Sequence, residues 1–406
     1  MKRKIAYTII GIGVIALVSG ARFYDKSLIN GDGYLGDEVI FFRENVMPQA
    51  EALANVSKES DDLKEEKETE VPTASPENSA DPTVSPEDSA KPQTAAETKK
   101  KYDKIINTGK IHIYNTGTAL IGDSAFELYN YVNSAASRYA MAVNKLTKKL
   151  DSSIDVYDMV APTSMGVTFP DNKKKKINSS DQKEALENIE KKLSGRERFI
   201  DLYDVMMQHR KEYVYFRTDH HWTSLGAYYA YRAFCEEKGI IPHELSEYKK
   251  KTAKGFLGSF YRDTNQNINL REDTLEAYYP VSTLTMQYTT TTGSTISAPV
   301  IADASQYSTS LKYCAFIAGD NPYTVIRNKS IKDGSSCVVV KESFGNAFVP
   351  YLADHYQTVY VIEYRYWEGD LCDFIKKKKS REVILINNIS MTRNLYLIGK
   401  LTQIIS

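Results

Sequence analysis

The run Tyr215-Phe216-Arg217-Thr218-Asp219-His220-His221-Trp222-Thr223 sets an acid, two imidazoles and an indole side by side, ahead of a helix-like segment over 225–235. Carboxylates and imidazoles are costly to bury without a task or a partner. An Asp beside a His fixes the imidazole tautomer and stabilises the imidazolium, which is what a general base requires. In an extended run alternate side chains share a face. Asp219 would then orient His221 as the base. His220 is the rival base, and otherwise is structural or lines a neighbouring pocket. Such a pair needs a nucleophile, and two serines compete for the role. Ser124 lies in Ile121-Gly122-Asp123-Ser124; Ser343 follows the apolar run Cys337-Val338-Val339-Val340 and precedes a helix-like stretch to Leu352. A serine on a strand-to-helix turn projects its hydroxyl at the carboxyl end of a sheet, near helix N–H groups that can hold an oxyanion. The plain alternative is that Ser343 only caps that helix. Asp219, His220 and His221 read as metal ligands fit poorly, because adjacent histidines lack the one-face spacing of a helical metal motif. No cofactor and no metal are expected.

The elements that must position these groups lie in the last three quarters of the chain. Apolar, β-branched runs at 111–114, 154–160, 198–201, 315–318, 337–340, 358–363 and 383–386 predict buried strands. Phe126, Tyr129, Val132, Ala136, Tyr139, Val143, Leu146 and Leu150 fall at helical spacing, and Ala185, Leu186, Ile189 and Leu193 form a weaker set. Strands alternating with helices predict an α/β domain over 102–406, with a parallel sheet covered on both faces. Residues 163–180, with Lys173 to Lys176, predict a solvated loop. Residues 245–312, rich in Thr, Ser and Tyr, predict a β-rich, lid-like insertion near the site.

The remaining sequence bears on location. Met1-Lys2-Arg3-Lys4 and an apolar run over 5–21 form the pattern of a secretory signal or an uncleaved anchor. The run spans roughly 25 Å at helical rise, slightly short of a bilayer core. A long spacer serves only a tethered domain, so a signal anchor over 1–27 is expected, with residue 1 inside and the main domain outside the cell. A short segment over 28–56 follows. Residues 57–101 are a Pro-, Ser- and Glu-rich spacer with a repeated ten-residue unit and too little apolar surface to fold. Fully extended it would reach roughly 140 Å. The 406 residues carry 52 basic and 52 acidic side chains, so no basic field recruits nucleic acid. The 29 tyrosines suit wet, amphipathic ligands such as sugars, or simply replace phenylalanine. Cys235, Cys314, Cys337 and Cys372 show no metal or redox spacing; outside the cell disulfides are permitted, and Cys314 and Cys337, each opening an apolar run, are read as buried thiols.

Two resemblances extend this reading. Gly122-Asp123-Ser124 matches the Gly-Asp-Ser signature of GDSL-type (SGNH) hydrolases. Tyr-x-Arg-Thr-Asp-His-His-Trp-Thr with Gly226-Ala227-Tyr228-Tyr229, together with Lys341-Glu342-Ser343-Phe344-Gly345-Asn346-Ala347-Phe348-Val349-Pro350, resembles the DHHW family. That family looks like a branch of the SGNH hydrolase-like proteins, related to the alginate O-acetyltransferase periplasmic proteins. Val160-Ala161-Pro162-Thr163-Ser164, Gly319-Asp320-Asn321-Pro322 and Tyr360-Val361-Ile362-Glu363-Tyr364-Arg365-Tyr366 add to the likeness. It covers about 102–395, and it reverses the usual order by placing Asp-x-His before Ser. The acid before the serine is often Asp in such proteins and is Glu342 here. The resemblance implies a three-layer, permuted SGNH-like fold and a Ser343–His221–Asp219 triad. It also implies oxyanion donors at the Ser343 N–H and Asn321, with Asn346 as the alternative. Arg365 is a polar contact to ester or sugar, and Trp222 a sugar-stacking ring or a core residue. The implied activity is O-acyl transfer to, or acetyl ester hydrolysis on, a cell-surface polysaccharide. A membrane-bound O-acyltransferase is the implied acyl donor. The rival reading is a non-catalytic glycan-binding or scaffold protein of the same fold.

Overall fold

The computed structural model describes residues 102–405. The expected anchor (1–27), N-terminal segment (28–56) and spacer (57–101) lie outside them. No helix among the described residues is long and apolar enough to cross a membrane.

The fold is mixed α/β, built on one large sheet. Its eight strands lie side by side in the order Arg198–Asp201, Asp155–Ala161, Glu382–Asn388, Ser336–Lys341, Thr358–Glu363, Tyr323–Asn328, Leu284–Thr289 and Thr295–Ala298. The first five are mutually parallel. The last three join antiparallel. Val338, Val339 and Val340 are all fully buried, as a strand covered on both faces requires. Tyr157 packs edge-on against Phe234 of the helix Ser224–Lys238. Its neighbour Asp158 is bonded by Tyr139 of the helix Asn133–Lys149. Adjacent strand residues point to opposite faces, so helices cover both sides of the sheet.

Five of the seven predicted strands fall in the main sheet. The run at 111–114 does not. Ile111–Ile113 is a half-exposed strand of a separate three-stranded antiparallel sheet with Thr118–Ile121 and Ser124–Glu127. Asn115-Thr116-Gly117 is a hairpin turn, closed by the Gly117 N–H on the Tyr114 carbonyl with Gly117 left-handed at φ 79°. The run at 315–318 is no strand either. A 3-10 turn over Lys312–Ala315 gives way to three left-handed residues, Ile317, Ala318 and Gly319. The first predicted helix begins late, because Phe126 belongs to a strand and the helix starts at Asn133. The 245–312 region is β-rich but no single lid. Lys249–Phe256 pairs with Asp273–Tyr279, whereas Leu284–Thr289 and Thr295–Ala298 extend the main sheet. None of the four cysteines forms a disulfide; Cys235 and Cys337 are buried, Cys314 and Cys372 half-buried.

Candidate active site

Ser343 sits between the strand Ser336–Lys341 and the helix Gly345–Leu352, on the expected strand-to-helix turn. The 215–222 segment is folded back on itself, closed by an antiparallel bridge between Tyr215 and Trp222. It brings His221 to Ser343. Ser343 Oγ lies 2.7 Å from His221 Nε2, and His221 Nδ1 lies 2.6 Å from Asp219 Oδ1. A carboxylate only accepts. The proton is therefore assigned to Nδ1, which leaves Nε2 to accept from the serine.

Asp219 and His221 meet for a different reason than strand alternation. Residues 217–221 are a string of bends, and the His221 N–H donates to Asp219 Oδ1 at 3.0 Å. This is an Asx turn, in which the carboxylate hydrogen-bonds the backbone two residues on. His220 does not turn to an opposite face. Its ring lies 3.9 Å from that of His221, and its Nδ1 is 2.7 Å from Ser259 Oγ. The Ser259 N–H donates to Asp219 Oδ2 at 2.9 Å, so both carboxylate oxygens are held. Burial alone would raise the pKa of Asp219. The His221 and His220 imidazoles and these hydrogen bonds override it and hold the carboxyl well below its usual range.

Ser124 is elsewhere. It opens the strand Ser124–Glu127 of the small sheet, and its hydroxyl donates to Asp123 at 3.0 Å. Trp222 is fully buried, which corrects its reading as a sugar-stacking ring; its indole N–H donates to the Phe344 carbonyl at 2.9 Å. Asn321 donates its amide to the Ala318 carbonyl at 2.9 Å. Asn346 is buried, with its amide donating to Asp320 Oδ1 at 2.8 Å and its Oδ1 unpartnered. Arg365 is likewise engaged, with Glu363 at 2.8 Å and Asp320 at 2.9 Å. Lys341 completes this cluster, bonding Asp320 at 2.9 Å and Glu363 at 2.8 Å. A buried lysine and a half-buried arginine thus face two carboxylates whose side chains are buried. Burial would lower the pKa of Lys341, but Asp320 and Glu363 raise it.

Two further residues touch the triad and went unforeseen. Tyr313 stacks on His221 at 3.9 Å and donates its hydroxyl to the Ser343 carbonyl at 3.1 Å. Ser259 holds Asp219 and His220, as above. Neither carried a signal: Ser259 is one Ser in a polar stretch, and Tyr313 borders an apolar run. Asp219, His220 and His221 each bring a ligand atom within 4.8 Å of the others. Asp219 Oδ1, His221 Nδ1 and Nε2, and His220 Nδ1 are all engaged by protein groups.

A serine hydroxyl on an imidazole, oriented by an ionised carboxylate, is an arrangement able to carry out nucleophilic acyl transfer. Comparison with known proteins agrees on the fold. A DHHW family protein from Eubacterium siraeum matches at 29% identity and TM-score 0.67, over 74% of this chain and 99% of that one. PatB1 of Bacillus cereus matches at 20% identity and TM-score 0.56, over 70% and 97%. The same protein with a sulfonyl adduct matches at 19% identity and TM-score 0.58, over 71% and 97%. No curated protein matches the chain. The family model described as DHHW protein covers residues 75–362, which include the Asp-His-His-Trp run and Ser343. The chain belongs to the DHHW protein family.

Proposed function

We propose that this chain is a serine-dependent O-acyltransferase or acetyl esterase of permuted, three-layer SGNH type, acting on a cell-surface polysaccharide. The observation that carries this reading is the continuous hydrogen-bonded line Ser343–His221–Asp219. Ser343 attacks the acyl carbonyl as His221 takes its proton, and Asp219 stabilises the imidazolium. The Ser343 N–H and Asn321 are the proposed oxyanion donors. The acyl-enzyme then passes its group to a sugar hydroxyl or to water. The apolar run over 5–21 and the spacer over 57–101 fit a single-pass anchor with the domain outside the cell. A membrane-bound O-acyltransferase is the proposed acyl donor.

The test is intact-mass analysis of the full-length protein after incubation with an activated acetyl ester. Wild type and Ser124→Ala should each gain one acetyl group on Ser343, and Ser343→Ala should gain none. The sulfonyl adduct recorded on PatB1 makes a sulfonyl fluoride a suitable second probe. Glycan binding that survives Ser343→Ala, with no acylation in any variant, would favour the non-catalytic reading.

A further inference from the structure

Ser343 Oγ has two acceptors and one proton. His221 Nε2 lies 2.7 Å away and Glu342 Oε2 lies 3.1 Å away. The Glu342 side chain is buried and firmly held. Its Oε1 accepts from the Asn388 N–H at 2.9 Å, and its Oε2 also accepts from the Phe344 N–H at 3.3 Å. It therefore ties the serine turn to the end of the neighbouring parallel strand, with one oxygen fixed where it can take the hydroxyl proton.

We infer that Glu342 is a positioning residue that restrains Ser343: as a carboxylate it competes with His221 for the hydroxyl proton, and when protonated it donates to Ser343 Oγ and leaves that proton to His221. The inference rests on reading Ser343 as the nucleophile. In the attack, Oγ bonds to the acyl carbon, the hydroxyl proton passes to His221 Nε2, and the carbonyl electron pair moves to its oxygen. Negative charge develops within reach of Oε2. A fixed carboxylate so close opposes that charge, and a buried site strengthens the opposition. The neutral acid removes it and adds a donor. Once acylated, Oγ is an ester oxygen with no proton to give. A carboxylate would then face lone pairs, whereas the acid keeps its hydrogen bond.

The surrounding charges support a Glu342 that changes state. Burial raises its pKa, Arg365 opposes that rise, and Glu363 adds to it. Tyr313 and Tyr364 also face it, and His221 lies across Ser343. Lys341, Asp320, Glu363 and Arg365 are paired among themselves.

The experiment measures the rate at which a fluorophosphonate labels Ser343 in detergent-solubilised full-length protein, across the range where carboxyls and imidazoles titrate. Glu342→Gln keeps the length and the Asn388 contact, presents an amide donor to Oγ, and gives up the 3.3 Å contact from the Phe344 N–H. It should label faster than wild type at the alkaline end, on the order of tenfold, and converge with wild type at the acid end. Glu342→Asp keeps a titrating carboxyl and should keep the wild-type shape of the profile. A Gln variant that matches wild type, or is slower by one constant factor at every pH, overturns the inference. So does an Asp variant whose profile follows that of Gln. Melting curves of both variants exclude misfolding as the cause. Should wild-type Ser343 take no label at all, the nucleophile reading falls and the inference with it. Label that is present in wild type and lost in Ser343→Ala, with an unaltered Gln profile, sinks the inference alone.

Discussion

Trp222 donates its indole N–H to the carbonyl of Phe344, 122 residues further along, at 2.9 Å. The residue after the candidate base thus grips the residue after the candidate nucleophile. The two segments are locked in register by a buried contact that no substrate touches. Trp222→Phe removes the donor and leaves a small void. It should destabilise the protein by about 1–3 kcal/mol, read as a shifted urea midpoint. Acetyl ester hydrolysis should fall as Ser343 loosens against His221. An unchanged midpoint would show that the contact contributes nothing.

Gly258 packs directly against Asp219. A Cβ at this position would stand 2.2 Å from Asp219 Oδ2, and its own N–H is tied to Thr218 Oγ1 at 3.1 Å. Gly258→Ala should push the carboxylate off the imidazole. Displacements on this scale lower activity by roughly 100-fold. Ser343 labelling should show that fall while far-UV dichroism stays native. Wild-type labelling would mean that Asp219 has room to move.

Lys341 is the linchpin of the buried charge cluster. Lys341→Met leaves Asp320 and Glu363 with Arg365 as their single remaining cation in it. Breaking a buried pair in this way costs about 3–5 kcal/mol. Chemical denaturation measures it, and a loss well under that range would mean that water or Arg365 compensates.

Asp158 is fully buried, and burial pushes its pKa up to about 7, although the Tyr139 hydroxyl on its Oδ1 opposes the rise. Its unfolded value is about 3.9. Between these values the folded state holds a proton that the unfolded chain has released, so stability falls as pH rises through the window. Asp158→Asn stays neutral and can still accept from Tyr139. It should match wild type near roughly pH 4 and exceed it by up to about 3 kcal/mol near neutrality. Paired urea titrations at the two ends check this. A constant difference at both pH values would show that ionisation is not its cause.

Much of the site was readable from residue order, because its parts are strong local signals. Four β-branched or apolar residues followed by Ser343 and a helical stretch placed the serine on its turn. The rarity of adjacent Asp and His marked residues 219–221. What escaped was long-range or compensated. Ser259 reaches Asp219 from 40 residues away. Tyr313 reaches His221 from a 3-10 turn that reads as an apolar strand at its far end. Ile317 holds a left-handed conformation at φ 46°, rare for a β-branched residue, so local propensity predicted strand where tertiary packing imposed a turn. The Asp219–His221 pairing was anticipated for the wrong reason, since period-two alternation and an Asx turn bring the same two residues together. Trp222 drew attention by type, and solvent exposure, which residue type does not fix, separates a ligand contact from a brace.

The 245–312 stretch supplies more than cover. Gly258, Ser259 and Tyr261 all bond back to Thr218 or Asp219. An engineered minimal version, pared down to the parallel strands and their helices, would cut away the clamp on the acid and leave the imidazole without a fixed aim. Shortening this chain at that point would trade size for disarray at its chemical centre.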